Sequence, residues 1–136
     1  MPGTVLHPAS QVDDAWEAAY KDSLVLPAWE QTRYLLDTIG ARFTTAAVGL
    51  HDARTVRRWR DEQTDPREHD VAGRLAILYR LTRSIADVYT PTVATAFLRS
   101  ANPQLDDTSP LMLLRDGDPD EVQKPLLAAA RAFLEG

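Results

Sequence analysis

The run Pro66-Arg-Glu-His-Asp-Val71-Ala-Gly-Arg-Leu75-Ala-Ile-Leu78-Tyr-Arg-Leu-Thr82-Arg-Ser-Ile85-Ala-Asp-Val-Tyr89 decides the fold. Val71, Leu75, Leu78, Thr82, Ile85 and Tyr89 recur in alternating steps of four and three, which lays one apolar stripe along a helix. Proline is favoured at a first helical position, where its missing N–H has no intrahelical partner, and Ser, Thr or Asp before it can cap the helix. Asp65-Pro66 and Thr90-Pro91 therefore bound a helix over 66–89 and begin the next.

The same punctuation continues in both directions. Ser109-Pro110 and Asp118-Pro119 mark further starts, Leu26-Pro27 a weaker one, and Gly40 and Gly117 stand where helix C-termini favour positive φ. Helices are expected at 11–22, 27–39, 43–49, 53–61, 66–89, 91–100, 110–116 and 119–134. In the last, Leu126, Leu127, Ala130, Phe133 and Leu134 share a face, and Pro125 should kink or restart the helix. No stretch alternates apolar and polar residues over strand length. The fold class is all-α. No repeat or low-complexity segment is present, and the first ten residues, with Pro2, Gly3 and Pro8, read as a loose tail.

A chain of 136 residues suits one domain or two closely packed subdomains, and 44% hydrophobic residues with 26% charged is a globular balance. With no cysteine, disulfide scaffolds, thiolate zinc sites and cysteine nucleophiles are excluded. There is no basic segment followed by an apolar run, and no apolar stretch approaches the roughly 20 residues of a membrane helix. A soluble, cytoplasmic protein is expected.

Catalysis finds no support in the residue pattern. His7, His51 and His69 lie far apart, without a carboxylate or second histidine at ligand spacing, and His51 reads as a loop residue at a helix start. Asp13/Asp14 and Asp106/Asp107 are adjacent, so each pair points apart, whereas an acid–base pair must converge on one reacting atom. There is no phosphate-cradling glycine loop and no nucleophile elbow. Neither an enzyme nor a metal or cofactor is expected.

A net charge of −5 argues against a nucleic-acid partner, but the charge is unevenly spread. Residues 1–40 hold six acids and two bases, residues 41–62 five bases and three acids, and residues 91–136 seven acids and four bases. The basic segment reads as a short helix, a turn with Gly49, Asp52 as N-cap, and a second helix. On that second helix Val56 and Trp59 share a face as buried anchors, leaving Arg54, Thr55, Arg57, Arg58 and Arg60 outside. A helix-turn-helix needs this division, because one side must be held and the other must enter the major groove. Arginine can fork onto guanine or clamp a phosphate, so the same residue type serves readout and positioning.

The second informative stretch runs from Ala101 to Gly117. It reads as a rigid Asn102-Pro103 turn, an inward Leu105, a Ser109-Pro110 helix start and a short helix carrying Leu111, Met112, Leu113 and Leu114. A helix this short must be packed to persist, and its four apolar residues cannot all face one core. Two or three serve the core, and the rest meets another helix or chain.

In this order the two stretches resemble the Xre/MbcA/ParS-like antitoxin family, in which an Xre-type helix-turn-helix precedes a C-terminal toxin-binding domain. The resemblance rests on Arg54-Thr55-Val56-Arg57-Arg58-Trp59 with Pro66, then on Asn102-Pro103, Leu105, Ser109-Pro110-Leu111, Leu113-Leu114, Gly117 and the closing Arg131-Ala132-Phe133. It covers roughly residues 38–136 and implies an N-terminal extension over 1–37, a helix-turn-helix over 38–66, and a long helix with the toxin-binding domain over 67–136. It further implies a homodimeric antitoxin that occludes a RES-type toxin degrading NAD, and whose binding to operator DNA can repress its own operon. Carried over residue by residue, the toxin-facing candidates are Asn102, Leu111, Leu114, Arg115, Phe133, Leu134, Glu135 and Gly136, and the DNA-facing, DNA-binding candidates are Arg54, Thr55, Arg57 and Arg58. Three features depart from the family pattern. Arg60-Asp61-Glu62 stands where a glycine often follows the tryptophan, Asp106 replaces a small turn residue, and residues 1–37 have no counterpart. Two alternatives remain open: a stand-alone transcription regulator that uses the C-terminal domain for dimerisation, and a structural partner protein whose helix-turn-helix no longer binds DNA.

Overall fold

A computed structural model describes residues 8–136. Eight α-helices and one 3-10 turn follow one another, with no strand among the described residues: α1 (Ala9–Val25), α2 (Ala28–Thr38), α3 (Gly40–Ala47), α4 (Ala53–Glu62), α5 (His69–Val88), α6 (Pro91–Arg99), the 3-10 turn Pro103–Leu105, α7 (Pro110–Asp116) and α8 (Pro119–Glu135). The all-α reading is thus borne out. The tail reading of the first ten residues is corrected at Ala9 and Ser10, which lie in α1; residues 1–7 lie outside the described residues.

The centre of the molecule is α5, on which α1, α2, α6 and α8 all pack. The expected stripe is buried at Val71, Leu75, Leu78, Thr82 and Ile85, and Tyr89 closes it half-buried. A second stripe at Ile77, Leu81, Ser84 and Val88 is buried as well. Its steps of four, three and four repeat those of the first on another face of the helix. Two buried faces follow from the position of α5 in the middle, with helices on several sides.

Helix ends show where local rules held and where tertiary contacts overrode them. Thr90, Ser109 and Asp118 accept from Val93 N, Met112 N and Asp120 N respectively, as N-caps should. Asp65 does not cap the helix after it. α5 starts at His69, three residues beyond Pro66, with Glu68 at the N-cap and no side-chain cap bond. The Asp65 carboxylate instead accepts from Trp29 N at 3.2 Å, closing the N-terminus of α2. Pro27 likewise serves as the N-cap residue of α2 rather than its first helical residue.

Gly40 has φ +87 and breaks the chain between α2 and α3, as expected of it. Gly117 was expected to need positive φ and does not, since its φ is −92. Space is its reason: a Cβ there would overlap Val122 Cγ1 and stand 2.8 Å from Leu113 O. Pro125 does not restart α8, which is one helix from Pro119 to Glu135. Pro125 and Glu121 are exposed, so water can satisfy the carbonyl that loses its N–H partner.

Ion pairs fasten the N-terminal helix to this frame. Arg83 on α5 donates to Asp22 at 2.7 Å, to Asp87 at 2.6 Å and to Tyr79 Oη at 2.6 Å. Burial works against the Arg83 charge, but these bonds outweigh it and hold the guanidinium above its ordinary pKa. Arg131 of α8 pairs with Asp13 of α1 and lies over the Trp16 ring.

Candidate functional site

Two short helices, α3 and α4, joined by a turn occupy the basic segment. α3 leads into a turn over 48–52, in which Gly49 has φ +82 and donates to Ala46 O at 3.1 Å, while Leu50 N donates to Thr45 O at 3.0 Å. Asp52 caps α4, accepting from Arg54 N at 2.9 Å. Val56 and Trp59 are buried, and α4 packs on α2 and α3. Arg54, Arg57 and Arg58 are exposed and Thr55 is half-buried. The apolar anchors and the outward basic residues therefore fall on separate faces.

The four arginines of α4 are not equivalent, a distinction invisible in the sequence. Arg54 turns back on its own cap, with Nη2 at 2.8 Å from Asp52 Oδ2. Bonds from the Arg54 side chain and backbone hold the Asp52 carboxyl below the usual carboxylate range. Arg58 faces Glu62 at 3.7 Å and Arg60 pairs with Asp61 at 2.8 Å. Arg57 alone makes no ion pair among the described residues. The acids in Arg60-Asp61-Glu62 thus engage Arg58 and Arg60 in exposed ion pairs, leaving Arg57 as the α4 arginine without one and open to an incoming phosphate. Beside α4 lies an open depression of about 560 Å³, with Thr55, Arg58, Trp59, Arg67 and Val71 among its lining residues.

The Asn102–Gly117 segment is built by its own side chains. Asn102 Oδ1 accepts from Gln104 N at 2.9 Å, and the Asn102 carbonyl accepts from Leu105 N and Asp107 N, both at 2.9 Å. An isolated bridge joins Asn102 to Thr108. Leu105 is buried, and Asp106 and Asp107 take left-handed φ of 54° and 64°. Asp tolerates that region because its short polar side chain can bond locally. On α7, Leu114 is fully buried, Leu111 and Leu113 are half-buried against the core, and Met112 is 46% exposed. Three of the four apolar residues thus serve the core, the upper end of the expectation.

Of the partner-facing candidates, Leu114 and Leu134 require correction. Both are buried in the monomer and support the surface rather than form it. Asn102 is half-buried, with its side-chain oxygen committed to the turn. Arg115 is exposed but bonded to Asp116 at 2.8 and 3.0 Å, and that bond holds the Asp116 carboxyl below its ordinary range. Glu135 accepts from Arg131 at 3.1 Å, and Gly136 follows it at the exposed chain end. Phe133 is 38% exposed and leans on Phe97 and Tyr89, with centroids at 5.1 and 5.7 Å.

The structure does not bring Arg115 and Phe133 together. Arg115 O lies 3.8 Å from where a Gly49 Cβ would stand, and Arg74 of α5 bonds the neighbouring carbonyls. Phe133 instead meets Tyr89, fifteen residues further along. At 1.5 Å per helical residue the two groups lie on the order of 20 Å apart along α5.

Among the described residues no cluster of His, Cys, Asp or Glu could hold a metal ion, and no helix of the structure is long and apolar enough to cross a membrane. Comparison with family models, with curated proteins and with solved structures finds no match.

Arg74 was not singled out in the sequence. The only hint is a charged residue between Val71 and Leu75, where the apolar stripe leaves little room for one.

Proposed function

We propose that the protein is the antitoxin of a type II toxin–antitoxin pair. In this reading it acts as a homodimer, meets operator DNA with the exposed face of α4, and blocks a RES-type, NAD-degrading toxin with its C-terminal region. It performs no chemistry of its own. The observation that carries the reading is that the Asn102…Gly117 set behind the family resemblance is structurally employed throughout. Asn102 ties the turn, Leu105 enters the core, Ser109 caps α7, Leu114 is buried and Gly117 admits Val122.

The C-terminal third is acidic, and a toxin pocket shaped for NAD phosphates would be basic, so encounter would be steered electrostatically. The test is capture of the product of the neighbouring gene, together with rescue of growth when the two are expressed together. No capture and no rescue, with a toxin shown to be active, refutes the reading.

A stand-alone transcription regulator is the second reading. The observation favouring it is the burial of Leu114 and Leu134, which leaves a smaller surface for a partner than the family pattern implies. It predicts a gel shift with DNA upstream of its own gene and no toxin gene alongside.

A further inference from the structure

Arg74 joins three elements. Its Nε donates to Leu114 O at 3.0 Å and its Nη2 to Gly117 O at 3.1 Å, so it closes the C-terminal end of α7 from outside that helix. A cation is favoured at a helix C-terminus, where carbonyls lack intrahelical donors. On its other side, a Cβ added to Gly49 would stand 3.5 Å from Arg74 Nη1. One guanidinium therefore lies between the end of α7 and the turn that sets α4 relative to α3. α3 and α7 also touch directly, so the two elements share a boundary for Arg74 to govern.

We infer that Arg74 is a positioning residue that couples the seating of α7 to the conformation of the α3–α4 turn. A shift of α7 carries with it the two carbonyls that hold Arg74, and so moves the guanidinium that stands beside the Gly49 turn leading into α4. Coupling of this kind requires an element both sites bias, and the Arg74 side chain is that element. Its use follows from the reading proposed above, in which α4 meets DNA and the C-terminal region meets a partner. The coupling itself is measured without either ligand, so its failure is distinguishable from failure of that reading.

The test is amide hydrogen exchange on the full chain, arranged as a double-mutant cycle. Ser109→Ala removes the Oγ that accepts from Met112 N at 3.2 Å, and with seven residues α7 loosens along its whole length. Amides in the middle of α1 report global opening and serve as the reference. With Arg74 present, Ser109→Ala should speed exchange at Gly49 and Leu50 about fivefold beyond that reference, as expected for loss of a cap. In an Arg74→Met background the same change should speed exchange at Gly49 and Leu50 by less than about twofold, the part that the direct contact of α3 with α7 carries. Arg74→Lys, which keeps the charge but can reach fewer acceptors, should halve the coupling or better. Equal acceleration with and without Arg74, no acceleration with Arg74 present, or undiminished coupling in Arg74→Lys would each overturn the inference.

Discussion

Gly117 and Val122 are packed so closely that a Cβ on the glycine would overlap Val122 Cγ1. The contact folds the start of α8 back against the end of α7, and it sets the geometry in which Gly117 O reaches Arg74. Gly117→Ala should therefore destabilise the protein by about 1–3 kcal/mol, as overpacking does. Gly40→Ala meets no neighbour but must hold φ +87, which costs an L-residue about 1–2 kcal/mol. Urea denaturation separates them: relieving Val122 with Val122→Ala should recover part of the loss in the first variant and none in the second.

Leu114 and Met112 sit on the same short helix and should respond oppositely. Leu114→Ala empties a fully buried position and should cost about 2–5 kcal/mol. Met112→Ser changes an exposed residue and should leave stability within about 0.5 kcal/mol. If α7 meets the partner, Met112→Ser weakens capture at unchanged melting temperature, measured by calorimetry and pull-down side by side.

Arg57 is the arginine of α4 that makes no ion pair among the described residues, so it should dominate any phosphate contact. Arg57→Ala should lower the salt slope of binding to DNA upstream of the gene by about one. Arg54→Ala should lower it less, because Asp52 already holds that guanidinium. Fluorescence anisotropy across a salt series gives both slopes. Equal effects from the two variants would show that the Asp52 pair opens on DNA.

Alkaline pH should destabilise the fold through tyrosine. Burial pushes Tyr79 above its ordinary pKa of 10.0, with Arg83 partly opposing, and burial likewise raises Tyr34, whose ring meets Tyr79 edge-on at 5.2 Å. A proton held more tightly in the folded state adds stability that is complete below pH 10.0 and is lost as the pH rises through the folded value. The urea midpoint should therefore fall above about pH 10. Tyr79→Phe should flatten that fall, and adding Tyr34→Phe should flatten it further.

Much of this architecture was legible because α-helices announce themselves locally. Thr90, Ser109 and Asp118 cap the helices that follow them, and Val56 and Trp59 face inward on a three-residue spacing. What escaped the sequence was tertiary. Asp65 looks like a cap for its own successor and closes α2 instead, and Gly117 looks like a left-handed stop but is a matter of room. The second stripe of α5 reads as an ordinary apolar remainder until helices are seen on its other faces. At the candidate site, the residues of α4 were visible but their pairing was not, and Arg74 acts on carbonyls forty and forty-three residues away, to which local pattern gives no pointer.

The central proposal is tested most directly by assaying the product of the neighbouring gene for NAD consumption, with increasing amounts of this protein added. If the C-terminal region blocks that enzyme, NAD loss stops at a fixed stoichiometric ratio, and Met112→Ser raises the amount required. Undiminished NAD consumption at a large excess of folded protein would contradict the proposal.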